Sequence, residues 1–237
     1  MKYFFDTEFI EGFHKPWFGK RRHFIDLISI GIVAEDGRRY YAISNEFNPK
    51  DADEWVYDNV IMNLMVDWAK SYSGDGRNEH LNTIEGTGKY KSVRMMQKAI
   101  GKSNKQIARD IQEFCKPARV FGYEGQKFLY SEIRNPEFYA YYADYDWVLF
   151  CSLFGRMIGL PSEFPMYCKD LKQMLDDKAL ALRERTIKNE PHIIPSPFKS
   201  YVNGIKVNPN YPKQQNEHNA MDDALWNLAL YKFIKTL

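Results

Sequence analysis

Residues 2–10 carry Tyr3, Phe4, Phe5, Phe9 and Ile10, large apolar side chains suited to a pleated and mostly buried strand. Asp26-Leu27-Ile28-Ser29-Ile30-Gly31-Ile32-Val33 predicts a second strand, and Tyr40-Tyr41 a third beyond the hairpin turn Glu35-Asp36-Gly37. The period then changes. Trp55, Val56, Val60, Leu64 and Trp68 share one side of a predicted helix over residues 53–70, which the stretch 71–76 breaks. Ser103, with Gln106 three residues on, carries a capping-box signature ahead of Ile107, Ile111 and Phe114, and Pro117 stops that helix. Residues 120–123 and 137–142 read as strands, and 147–157 as a helix ended by Gly159-Leu160-Pro161. Met221, Leu225, Leu228, Ala229 and Phe233 recur at helical spacing, so a last helix starts just after His218. Strands first, with helices alternating later, predict an α/β fold in which helices flank a mixed sheet.

Two acids interrupt the first strand. Asp6 and Glu8 are two residues apart and therefore share a strand face, where their like charges repel. A hard divalent cation such as Mg2+ or Mn2+ would remove that penalty, since carboxylate oxygens are its natural ligands. Taken alone, so short a pattern is more simply a solvated acid pair at a strand end. Two later acids change the balance. Asp146 lies where the aromatic run 139–145 gives way to an apolar helix, and Asp223 lies on the last helix with His218 on the turn before it.

Asp-x-Glu on a first strand, an Asp at a strand-to-helix switch, and His-x4-Asp at a late helix start form an order that resembles the DEDD superfamily of 3′-to-5′ exonucleases, in its histidine-containing branch. Ala143-Asp144-Tyr145-Asp146-Trp147-Val148-Leu149, Leu153-Phe154-Gly155 and Pro165-Met166-Tyr167-Cys168-Lys169-Asp170-Leu171-Lys172-Gln173 are similar to one bacterial subfamily, the exoribonuclease RNase AS. The resemblance covers about the first 45 residues, 138–176 and 217–237. It implies a ribonuclease H-like fold and two divalent ions, Mg2+ or Mn2+, held by Asp6, Glu8, Asp146 and Asp223, with Asp6 bridging them. It implies that His218 accepts a proton from the attacking water. Asp144 and Asp222 are the alternatives to two of these ligands. The family motif puts its ligand directly before the apolar helix, which leaves Asp144 as a helix cap. The trailing Ala224 fits Asp223, which leaves Asp222 as a first-turn acid favoured by the helix dipole.

The implied substrate is single-stranded RNA with adenylate-containing 3′ ends, the product nucleoside 5′-monophosphates, and the assembly a homodimer. DNA ends or very short oligoribonucleotides would need the same chemistry, and a non-catalytic RNA-binding module is the third reading, against which the complete ligand set argues.

Composition bounds rather than directs. A chain of 237 residues with 16% aromatics is expected to fold as one domain, 1–237, with insertions at 70–101 and 188–215 that carry no placeable pattern. No apolar run reaches the length of a membrane span, and the N-terminus runs straight into a core strand, so neither a membrane nor export is expected. Cys115, Cys151 and Cys168 lack any C-x-x-C pair, which predicts a reducing cytoplasm. The net charge of +2 says nothing about nucleic acid. Basic residues do cluster over 89–134, including Lys98, Lys102, Lys105 and Arg109, as either a phosphate-tracking strip or a solvated helix face. The proline-bearing stretch 189–216, next to His218, reads as a long loop, either functional or a tolerated insertion.

Overall fold

The computed structural model describes residues 1–14, 18–72, 88–124, 127–190, 192, 194 and 196–237. Its strands are β1 (Lys2–His14), β2 (Arg22–Ala34), β3 (Arg39–Ile43), β4 (Ala118–Glu124), β5 (Lys127–Arg134), β6 (Glu137–Ala140) and β7 (Lys169–Asp170). Five of them form one mixed sheet in the order β3-β2-β1-β6-β7, while β4 and β5 pair separately as a hairpin ribbon. The β1-β2-β3 portion is antiparallel, and β6 and β7 run parallel to β1. Gly37, at φ 92°, closes the β2-β3 turn in a conformation that suits a residue without Cβ, with its N–H on the Ala34 carbonyl.

The helices are α1 (Glu54–Val56), continued through a π-helical turn (Tyr57–Ile61) into α2 (Met62–Tyr72), then α3 (Lys89–Ile100), α4 (Asn104–Phe114), α5 (Asp144–Leu153), α6 (Leu171–Asn189), α7 (Phe198–Lys206) and α8 (Ala220–Ile234). Strand alternation divides β1 between two layers. Tyr3 and Phe5 pack with Ile107 and Ile111 of α4 and with Leu149 and Phe150 of α5. Phe4 points the other way, into a cluster with Leu171 and Leu175 of α6, Val202 and Ile205 of α7, and Leu230 and Phe233 of α8. A third cluster joins Ile28 and Ile43 to Val60, Leu64 and Met65, and to Val93 and Met96 of α3. The sheet is thus covered on both faces, which is why its central strands read as continuous apolar runs.

The segments 70–101 and 188–215, expected as insertions, each contain a helix that packs into the core: α3 buries Val93 and Met96, and α7 buries Val202 and Ile205, each such side chain contributing about 1.5–3 kcal/mol. Several expectations need correction. The long loop expected over 189–216 is therefore interrupted by a packed helix. Residues 141–142 lie outside β6, and α5 starts at Asp144 and stops at Leu153, not at 157. Asp144 does not cap it, because Ala143 holds the N-cap position without a side-chain bond. Ser103 does cap α4, its Oγ accepting from Gln106 N, but the Gln106 side chain donates forward to Asp110 and leaves the capping box half made. Trp55 does not join the buried side of its helix and is 53% exposed. In α8 the buried stripe is Ala220, Asp223, Ala224, Asn227, Leu230, Phe233 and Ile234, whereas Met221, Leu225 and Leu228 are only half-buried and Ala229 is exposed. No helix among the described residues is long and apolar enough to cross a membrane.

Candidate functional site

Asp6 and Glu8 follow Phe4 on β1 with the same parity, and so face α8 just beyond the point where β6 ends. Two contacts bring α8 against that strand. Asn227, buried, donates from Nδ2 to the Phe5 carbonyl at 2.9 Å. Gly31, the register partner of Asp6 on β2, lies so close to the start of α8 that a Cβ there would come 2.2 Å from the Ala220 carbonyl oxygen. Asn219 caps the helix, accepting from the N–H groups of Met221 and Asp222. Asp223 in the first turn is thereby carried to the strand. Carboxylate oxygens of Asp6, Glu8 and Asp223 all lie within 4.8 Å of one another.

Asp146 approaches from α5 and is held by the residue between the two strand acids. Its Oδ1 accepts from Thr7 N at 2.9 Å and from Thr7 Oγ1 at 2.5 Å. It is not one of the three acids whose oxygens meet within 4.8 Å, but its charge acts on Asp6 and Glu8. Burial, followed by the charges of Asp146, Glu8 and Asp223, pushes Asp6 well above the ordinary carboxylate range. Burial and the charges of Asp223 and Asp146 push Glu8 up to about 8. Burial raises Asp146 to about 7 against the opposing hydrogen bonds from Thr7, and it also raises Asp223 against those from Gln214 and the His218 N–H. Among the described ion pairs none involves these four acids. An all-oxygen set of mutually repelling carboxylates, Asp6 half-buried and the others close to fully buried, suits a hard divalent cation, whose charge would relieve the repulsion.

The strap 212–218 lies across the start of α8. Trp226 Nε1 donates to the Pro212 carbonyl at 3.0 Å, Gln214 Nε2 to Asp223 Oδ1 at 2.5 Å, Asn216 Nδ2 to Asp222 Oδ2 at 3.1 Å and His218 N to Asp223 Oδ2 at 3.1 Å. His218 has φ 70°, and its ring meets that of Trp55 edge to face, centroids 4.7 Å apart. Asp222 is thus engaged by Asn216, and Asp144 is exposed.

The basic stretch is partly committed to local partners. Lys102 pairs with Asp110 at 2.6 Å, Lys116 with Glu113 at 2.6 Å, and Arg94 donates to the Phe47 carbonyl and to Asn48 and Gln97, while Lys98, Lys105 and Arg109 stay exposed.

The sequence pattern assigned no functional role to Thr7, Gln214 or Asn227, and none beyond helix and strand membership to Trp55 and Gly31. Thr7 carried a signal, a hydroxyl between two acids, and so did Gly31, a glycine inside an apolar strand. Gln214 had none.

No family model matches the chain. Two curated proteins named 3′-5′ exoribonuclease, both from Mycobacterium tuberculosis, strains CDC 1551 / Oshkosh and ATCC 25618 / H37Rv, are each 32% identical to it over 178 residues. That match spans 75% of this chain and 76% of each relative. The chain belongs to this exoribonuclease family. Membership makes it an enzyme, and the acidic cluster midway along β1 is, among the described residues, the place where carboxylates converge. Divalent metal use accords with the family and with that cluster.

Proposed function

We propose that this exoribonuclease hydrolyses single-stranded RNA from its 3′ end, releasing nucleoside 5′-monophosphates, with Asp6, Glu8, Asp146 and Asp223 as metal ligands and His218 as general base. The observation that carries the reading is the convergence of Asp6, Glu8 and Asp223 within 4.8 Å, with Asp146 tied to the same strand through Thr7. The sheet order, with an antiparallel β1-β2-β3 portion and β6 and β7 parallel to β1, supports the ribonuclease H-like reading, and His218 five residues before Asp223 supports the histidine-containing branch.

Two Mg2+ or Mn2+ ions held by these carboxylates would supply a nucleophilic hydroxide, neutralise the phosphate and stabilise the departing 3′ oxygen. Asp6, Glu8, Asp146 and Asp223 would hold them, with Asp6 shared between the two as the resemblance implies. Asp146 is fixed by the Thr7 N–H and hydroxyl on Oδ1, which leaves Oδ2 as its oxygen for a metal ion. His218 takes one proton from the attacking water. The new bond is water oxygen to phosphorus, and the bond broken joins phosphorus to the 3′ oxygen of the penultimate nucleotide, which leaves as an alkoxide and becomes the free 3′-hydroxyl by taking a proton from solvent, to which His218 later returns its own. Similarity to RNase AS supports a preference for adenylate at the 3′ end and a homodimer.

The test uses 5′-end-labelled RNA and DNA oligonucleotides with Mg2+, with Mn2+ and with chelator. A ladder shortening from the 3′ end of RNA is expected with metal, disappears with chelator, and is absent in Asp6→Asn. DNA degraded as fast as RNA would defeat the substrate assignment, and full activity in Asp6→Asn would defeat the ligand assignment.

A further inference from the structure

Trp55 is a large apolar side chain left 53% exposed at the start of a helix whose Val56, Tyr57, Val60, Ile61, Leu64 and Trp68 turn inward. Its backbone is held firmly. Asp53 accepts from Val56 N at 2.7 Å, Tyr57 N donates to the Asp53 carbonyl at 3.0 Å, and Asn59 Nδ2 donates to the Trp55 carbonyl at 2.9 Å. Behind it Val60 and Ile61 are buried. The exposed ring is also engaged, since it meets the His218 ring at 4.7 Å between centroids and 81° between planes. His218 itself comes from a strap residue in a left-handed conformation, anchored through its backbone N–H to Asp223. That anchor fixes the backbone and leaves the two side-chain torsions free, and no hydrogen bond to the imidazole nitrogens is found among the described residues.

We propose that Trp55 is a positioning residue that holds the His218 imidazole for proton transfer. This rests on the assignment of His218 as general base. The indole restricts the ring through an edge-to-face contact, an arrangement aromatic pairs prefer. A general base must stay within hydrogen-bond reach of its proton, and a displacement of about 1 Å can cost about 10²-fold in rate. Trp55 therefore acts on the rate of the chemical step, through His218, while the carboxylates and the RNA are bound as before.

The test is a double-mutant cycle on a single-stranded oligoribonucleotide at saturating Mn2+, with Trp55→Ala, Trp55→Phe, His218→Ala and the pair Trp55→Ala/His218→Ala. Trp55→Ala is expected to lower kcat by about 10- to 100-fold with KM within about twofold of the wild type. Trp55→Phe, which keeps a ring face, should recover most of that loss. The pair should be no slower than His218→Ala alone, because a positioning residue has nothing left to position. Losses that multiply in the pair would overturn the proposal, and so would a raised KM or an altered 3′-base preference in Trp55→Ala, which would put the indole on the RNA. Should the alanine variant unfold, Trp55→Leu carries the same prediction with an apolar side chain and no ring. A wild-type rate in His218→Ala would reject the general-base assignment itself. A slow His218→Ala beside a wild-type Trp55→Ala would reject this inference alone.

Discussion

Glu8→Gln should stabilise the chelated protein at alkaline pH while removing its metal response. Glu8 has an ordinary value of 4.5, and burial with the charges of Asp223 and Asp146 raises it to about 8 in the folded state. The native state therefore binds the Glu8 proton more tightly than the unfolded chain does. Stability falls as pH rises from about 4.5, and the loss is complete once pH passes about 8. Roughly 3.5 pH decades at about 1.4 kcal/mol each set a ceiling of about 5 kcal/mol on that loss. Asp6, Asp146 and Asp223 remain in the variant and keep part of the repulsion, so about 2–3 kcal/mol should be regained at pH 8.5. For a chain of this size that corresponds to about 5–10 °C in Tm. The assay is a thermal melt in chelator from pH 5 to 8.5, repeated with Mn2+. Wild type should lose Tm steadily across that range, the variant less steeply, and Mn2+ should raise only the wild type, by mass action on the folded state. A variant that melts below wild type at pH 8.5, or that follows the same pH slope, would refute the assignment of Glu8 as a buried, repelled carboxylate.

Gly31→Ala should destabilise the fold by about 1–3 kcal/mol, because the added methyl meets the Ala220 carbonyl at 2.2 Å, and should lower activity further than its Tm loss explains by moving Asp223 away from Asp6. A chevron or melt compared with single-turnover rates separates the two effects, and unchanged activity in a destabilised variant would count against this coupling. Thr7→Val keeps the strand and the backbone N–H but loses the hydroxyl donor to Asp146, so about 1.5–3 kcal/mol of stability and a weaker Mn2+ affinity by calorimetry are expected. An unaltered Mn2+ isotherm would mean that the hydroxyl does not orient Asp146.

The elements that reveal themselves through period, charge and capping were legible in the chain. The apolar run of β1 with Asp6 and Glu8 on one face, the turn at Gly37, the Ser103 cap and the start of α8 all follow from interactions within a few residues. The two helices in the segments 70–101 and 188–215 were not legible, because α3 and α7 are held by contacts with clusters distant in sequence, and local prolines and charges obscured their period. The same distinction runs through the site. Which residue types are candidates could be read directly, since an acid in a buried strand and an acid after a histidine are local anomalies. That Asp6, Glu8 and Asp223 share one small volume could not, because it depends on Asn227 reaching the Phe5 carbonyl and on the absence of a Cβ at Gly31. Trp55 marks the limit of pattern reading: a helical stripe places it in the core, and only the strap bearing His218 gives its ring a partner at the surface.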